Sequence, residues 1–231
     1  MAEYLVQYQK FADADIRLLT DDRATTMAIL DHLAWLIDGA QPGDRILFHY
    51  SGHGATFAGR GASGEIDHVD DVICPVDFNW TPELMIEDAD FLSIFAEMPE
   101  GVFLTWISDS CHSGHLDRDI PAMPRQPKAY PVPADIAWRL RTADAEGLSV
   151  PKSVFPGQFI PGCRSDQASD DAFINGTYQG ALTSHLLAQL RAMDGRSVAA
   201  VVDATARQLT LDGYDQQPVA DGERIGQPML G

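Results

Sequence analysis

Apolar residues follow two different rhythms along this chain. Over 45–50 and 101–107 they run almost unbroken (Ile46, Leu47, Phe48; Val102, Phe103, Leu104, Trp106, Ile107), the mark of strands covered on both faces, as in parallel sheets. Over 23–38 they recur at three-to-four spacing instead. Met27, Leu30, Leu33, Ala34 and Ile37 fall on one face of a helix whose start is signalled by Asp21-Asp22. The same reading predicts helices over 88–98, 135–146, 178–193 and 198–211. Short strands are expected over 16–20, 72–76 and 158–161, with an edge strand at 225–230, and 52–64 reads as a loop of small residues. Strands alternating with helices of this length require right-handed crossovers, so the class is α/β, with a mainly parallel sheet between helices.

The alternation stops between Asp117 and Pro133, where five prolines mark an extended linker. One domain is therefore expected in three stretches: 1–117, the linker 118–134, and 135–231. The linker carries Arg118, Arg125 and Lys128, so self-cleavage there is conceivable, but basic residues in an exposed loop need no such role and the plainer reading is favoured.

Charge narrows the function. Of 231 residues, 34 are acidic and 16 are Lys or Arg, a net charge of −18. Such a field repels nucleic acid and anionic membranes and attracts cations and basic peptides. Three cysteines (Cys74, Cys111, Cys163) form no disulfide framework and suggest reduced thiols. The start of the chain does not read as a signal peptide and no apolar run approaches membrane-spanning length, so the expectation is a cytoplasmic protein, taken as a monomer.

Both unbroken apolar runs end in tight turns of small residues, and each turn carries a reactive side chain. The first is Ser51-Gly52-His53-Gly54; the second is Asp109-Ser110-Cys111-His112-Ser113-Gly114. Parallel sheets place their sites at the carboxyl ends of strands. A thiol and an imidazole meeting there make a nucleophile and its base, and N–H groups near Gly54 and Cys111 can form an oxyanion hole. Two weaker signals are set aside. Residues 59–64 match a dinucleotide-binding glycine pattern without the helix that pattern needs. His49, His112 and His115 beside Cys111 fit no standard zinc spacing.

These two motifs together resemble the metacaspase (orthocaspase) group of caspase-like cysteine peptidases. Leu19-Thr20-Asp21, 35–40, Gly43-Asp44, Ile73-Cys74-Pro75-Val76-Asp77 and 162–169 extend the similarity from about Leu18 to the C-terminus. The resemblance implies a caspase-like three-layer sandwich with large-subunit-like and small-subunit-like parts either side of the linker. It implies an endopeptidase that cuts after Arg or Lys through a His53–Cys111 dyad, with Ser51 and Asp109 lining the specificity pocket. It further implies calcium, for which Asp67, Asp70, Asp71 and Asp117 are the candidate ligands. Substrates would be peptides or proteins with basic residues, and no organic cofactor is expected. The fold so implied begins with a strand and helix before Leu18, yet only seventeen residues stand there. The first strand–helix unit therefore reads as missing or truncated, which keeps open a partly degenerate, non-catalytic module that acts by protein–protein interaction.

Overall fold

The structure, a computed structural model, describes residues 1–60, 66–111, 125–128, 130, 133, 134, 155–164, 167, 169–174 and 176–231. Its centre is a parallel sheet in the order β1 (Arg45–Ser51), β5 (Phe103–Asp109), β7 (Gln158–Pro161). Every residue of β5 is buried, as the unbroken apolar run requires of a strand with neighbours on both edges.

Alternation along the strands feeds two cores. Ile46, Phe48, Leu104, Trp106 and Phe159 face one side, where α2 (Thr26–Ile37) and α3 (Asp88–Ala96) pack. Leu47, Ile107 and Ile160 face the other, against α4 (Ala181–Ala192) and α5 (Val198–Leu211). The result is the expected three-layer α/β sandwich. On the first side the core is aromatic: Phe91 is fully buried, its ring 4.5 Å from Trp106 and 5.4 Å from Phe48.

Two small antiparallel sheets flank the centre: β2 (Gly54–Arg60), β3 (Ile66–Ile73), β4 (Ile86–Glu87), and β6 (Arg125–Pro127), β8 (Asp170–Ile174), β9 (Thr177–Gly180). Several sequence expectations change here. The stretch read as a loop from Gly52 holds β2, because a hairpin partner on β3 compensates for its weak intrinsic strand preference. Residues 16–20 form no strand. The edge strand expected at 225–230 is replaced by an irregular tail with a single bridge, Ser197 to Pro228. That tail is held by the buried Gln158, whose Nε2 donates to the carbonyls of Arg224 (3.0 Å) and Pro228 (2.9 Å) while its Oε1 accepts from Thr105 Oγ1 (2.9 Å). The helix expected over 135–146 falls outside the described residues. The chain does open in a helix, α1 (Ala2–Gln7).

Among the described residues no strand precedes β1, and its outer edge is unpaired. Phe103 N–H donates to Asp44 and Gly52 N–H donates to Asp109. This phase turns the even-numbered residues of β1 toward β5, so Arg45, Leu47, His49 and Ser51 present their backbone groups outward. That edge looks into a cavity of about 700 Å³ walled by Leu5 of α1, Leu33 and Leu36 of α2, and Leu18. Flanking helices and an irregular segment thus shield an edge that would otherwise invite strand pairing.

The aromatic core sets a testable stability. Phe91→Ala should cost about 3–5 kcal/mol, read as a lowered denaturant midpoint at unchanged slope.

Candidate active site

β1 and β5 are paired in register, and the pairing ends with Ser51 opposite Asp109. His53 and Cys111 each lie two residues past that pair, so the chain delivers both from neighbouring strands at the same carboxyl edge of the sheet. The His53 turn is braced. Tyr50 O–H lies 2.8 Å from the His53 carbonyl and 3.0 Å from that of Cys74, and Cys74 N–H donates to His53 O at 2.9 Å. Gly52 is required there because a Cβ would collide with the Tyr50 ring. Exposed His53 keeps its ring edge-on to Tyr130 at 6.1 Å, within an aromatic group that includes Phe78 and Trp80.

Cys111 is fully buried, and its described hydrogen bonds run to one residue. Ser169 N–H donates to Sγ (2.6 Å) and Sγ donates to Ser169 O (2.9 Å). Cys74 and Cys163 are also buried. Burial pushes the Cys74 thiol up to about 12, which leaves it protonated and inert.

Asp109 is the hub. It is fully buried, and its carboxylate takes four polar contacts: Lys128 Nζ (3.0 Å) and Ser169 Oγ (2.8 Å) on Oδ1, Thr183 N–H (2.9 Å) and Thr183 Oγ1 (2.6 Å) on Oδ2. Thr183 lies in the first turn of α4, whose N-cap, Gly180, has no side chain to offer. Asp109 therefore supplies the missing cap from another element, where the helix dipole also favours a negative charge. A Cβ at Gly180 would land on the Asp109 carboxylate and the Lys128 ammonium, so glycine is the residue the packing admits. Burial alone would raise the Asp109 carboxyl. The Lys128 ammonium and the hydrogen bonds from Thr183 and Ser169 outweigh it and hold the group below the usual carboxylate range.

Lys128 completes the pocket. Almost wholly buried, its ammonium also reaches Ser51 Oγ (2.8 Å), the Asp109 carbonyl (3.0 Å) and Asp171 (3.4 Å). Its backbone is engaged as well, because Gly54 N–H donates to Lys128 O and Lys128 N–H donates to Ser169 O, each at 2.9 Å. The structure thus brings Ser51, Gly54, Asp109 and Cys111 around one basic residue. The sequence reading took Lys128 as a linker cation, with self-cleavage there conceivable but not favoured, and Ser169 only as part of a motif. Thr183 and Gly180 carried no chemical signal.

The metal candidates are less gathered. Asp67, Asp70 and Asp71 ride on β3, and Thr56 Oγ1 donates to Asp71 at 3.5 Å. Asp117 lies outside the described residues. Among the described residues no group of three or more His, Cys, Asp or Glu side chains converges as a metal site.

His49 sits behind the pocket, its Nε2 3.0 Å from Thr183 Oγ1. Burial pushes this imidazole down to about 4, and Lys128 adds to that, against the opposing pull of Asp109. A histidine depressed in the fold binds its proton more readily when unfolded. Its contribution is complete above its unfolded value of 6.5 and is lost as pH falls from 6.5 toward 4. The lowered Asp109 acts in the same sense below its usual 3.8. Thermal melts should show stability falling through that acid window, by on the order of 3 kcal/mol from His49 when the shift is converted. The His49→Gln variant should lose that part of the slope.

Comparison with known proteins bears on the family and the fold. The family model of the metacaspase, peptidase C14 domain, matches residues 1–119, a stretch that includes both turns. Metacaspase-1 of Scheffersomyces stipitis is 27% identical over 94% of this chain and 63% of its own length. Metacaspase-1 of Arabidopsis thaliana is 30% identical over 93% of this chain and 59% of its own. The chain thus spans about 60% of the length of these curated relatives. Protein GSU0716 from Geobacter sulfurreducens, a solved structure, superposes with a TM-score of 0.60 at 23% identity, covering 87% of this chain and 75% of that one. No helix among the described residues is long and apolar enough to cross a membrane. With a caspase-like α/β sandwich and a family match over half its length, the chain belongs to the metacaspase family.

Proposed function

We propose that the protein is a cysteine endopeptidase that hydrolyses peptide bonds after Lys or Arg. One observation carries the reading: a buried carboxylate, Asp109, two residues before Cys111, holds a buried lysine side chain at 3.0 Å. A pocket with a fixed anion pairs an ammonium or guanidinium and disfavours an acidic side chain through like-charge repulsion.

In this reading Cys111 Sγ attacks the carbonyl carbon of the bound basic residue. His53 takes the thiol proton and returns it to the leaving amine. The Gly54 N–H, already on a carbonyl oxygen at 2.9 Å, and the Cys111 N–H stabilise the oxyanion. The thiol must turn from Ser169 toward the substrate carbonyl, a tightening that catalytic contacts commonly undergo when substrate binds. Water then hydrolyses the thioester. The surface charge of −18 would draw basic substrates toward the cleft. Calcium belongs to the same proposal as an activator, with ligands drawn from Asp67, Asp70, Asp71 and Asp117, and no step above is routed through it.

Fluorogenic peptides ending in Arg, Lys or Asp, assayed with calcium and with a chelator, test the proposal. Arg and Lys reporters should turn over and the Asp reporter should not. Cys111→Ala should abolish turnover, and Asp109→Asn should lower kcat/KM by about 100-fold or more. Cleavage after Asp would sink the pocket assignment. No turnover under either condition would favour the non-catalytic module.

A further inference from the structure

The outer edge of β1 faces a slot whose opposite wall is also extended backbone. Residues 16–20 line the cavity beside that edge. The chain is extended at both ends of this run, with φ −112° and ψ 128° at Ile16 and φ −130° and ψ 144° at Thr20. Its residues suit a strand, yet it pairs with no described strand. Leu47 and His49, half-buried at the middle of the β1 edge, likewise have backbone N–H and carbonyl groups that no described residue pairs. Backbone groups held away from bulk water call for hydrogen-bonding partners. A single strand lying between the two walls would serve both.

The other two sides define what that strand must carry. Leu33 and Leu36 of α2 belong to the aromatic core on one face of the sheet, and Leu5 of α1 to the aliphatic core on the other; all three line the cavity. A strand covered on both faces takes a nearly unbroken apolar run. Leu18, 62% exposed, stands ready at the mouth. Charge sets the flanks. Asp15, Asp21, Asp38 and Asp44 are exposed among the lining residues. The two arginines there are already engaged: Arg17 donates to the Ala14 carbonyl (2.8 Å) and lies over Trp35, and Arg45 donates to the Gln9 carbonyl (2.9 Å) and lies over Phe11.

We propose that this slot is a docking site for an extended apolar segment with basic flanks, supplied by a second polypeptide and held as an added strand between β1 and residues 16–20. Strand addition of this kind draws affinity from main-chain hydrogen bonds and selectivity from side-chain pockets. The seven residues of β1 set the length of the ladder, roughly 20 Å at about 3.3 Å per residue. Residues 1–44 build the walls and do not enter the slot. A second copy of this chain is disfavoured as the donor, because each copy carries −18 and the rim is acidic. The helices and the irregular segment around the edge thus bar broad sheet-to-sheet association while admitting one strand. The slot is separate from Cys111 but adjoins its surroundings. His49 lines it, and the Nε2 of that residue lies 3.0 Å from the Thr183 hydroxyl that bonds Asp109.

Fluorescence anisotropy of a labelled synthetic peptide titrated with the purified full chain tests this. The probe has an alternating valine and leucine core as long as the seven residues of β1, flanked by lysine pairs. Saturable binding at micromolar protein is expected. Proline at alternate core positions, which removes the ladder donors, should weaken it by about tenfold or more. A serine-glycine core with the same lysines should weaken it as much. Leu18→Asp, at an exposed position, and Leu36→Trp, which fills the slot, should each cost about tenfold with the circular dichroism spectrum unchanged. Hydrogen exchange at the Leu47 and His49 amides should slow when the peptide binds. Equal binding of the proline or serine-glycine control, or full binding by both variants, would overturn the site. Amides at Leu47 and His49 that are already fully protected without peptide would show the edge paired within the chain and overturn it too. Peptide binding that competes with dimerisation of the chain would overturn the choice of a foreign donor in favour of a second copy.

Discussion

The site depends on one buried carboxylate. Asp109 ends the central strand β5, caps helix α4 through Thr183, takes the Ser169 hydroxyl and pairs with Lys128. Four polar contacts on one fully buried side chain tie the parallel sheet, the α4 layer, the Ser169 loop and the 125–128 segment to a common point. Removing two charges from water costs several kcal/mol per ion, and such a pair stands only when its remaining hydrogen-bonding sites are satisfied. Here they are, because Ser51, Thr183 and Ser169 fill them. The constraint explains why Gly180 has no side chain, while burial keeps His49 neutral against the pull of Asp109.

In-register pairing of β1 with β5 fixes the two turns side by side. Two separate cores, one aromatic and one aliphatic, hold the sheet from either face. Cys74, raised by burial, is inert, and Cys111 lies past the end of β5 against the Ser169 backbone. Gly54 links the halves of the cleft, since it reaches both Lys128 and Tyr130 through the backbone.

Much of this was legible in the sequence wherever a local signal existed. The strand at Gln158–Pro161 and the helix at Val198–Leu211 fall where their patterns place them. Thr26–Ile37 begins three residues later than its pattern because a 3-10 turn, Asp21–Arg23, precedes it, and Asp77 then accepts from Thr26 N–H at 2.8 Å. What escaped depended on distant partners. β2, β6, β8 and β9 are short strands, stable only as paired ribbons, and runs of three to seven residues carry too little periodicity to mark them. Thr183 and Asp109 are separated by 74 residues, so nothing local ties a helix cap to a carboxylate at the end of a strand. Lys128 looked like a solvated linker cation because its counter-charge comes from another strand. The −18 surface hinted at basic ligands without saying that the chain carries one of its own.

The central claim is that Asp109 presents a basic residue to Cys111. Covalent trapping with a peptidyl chloromethyl ketone ending in Lys, against its Asp-ended counterpart, tests it directly by mass mapping of the alkylated residue. The account predicts a single adduct on Cys111 from the Lys reagent, little from the Asp reagent, and loss of that preference in Asp109→Asn. Equal labelling by both reagents, or an adduct on Cys74 or Cys163 in place of Cys111, would contradict it.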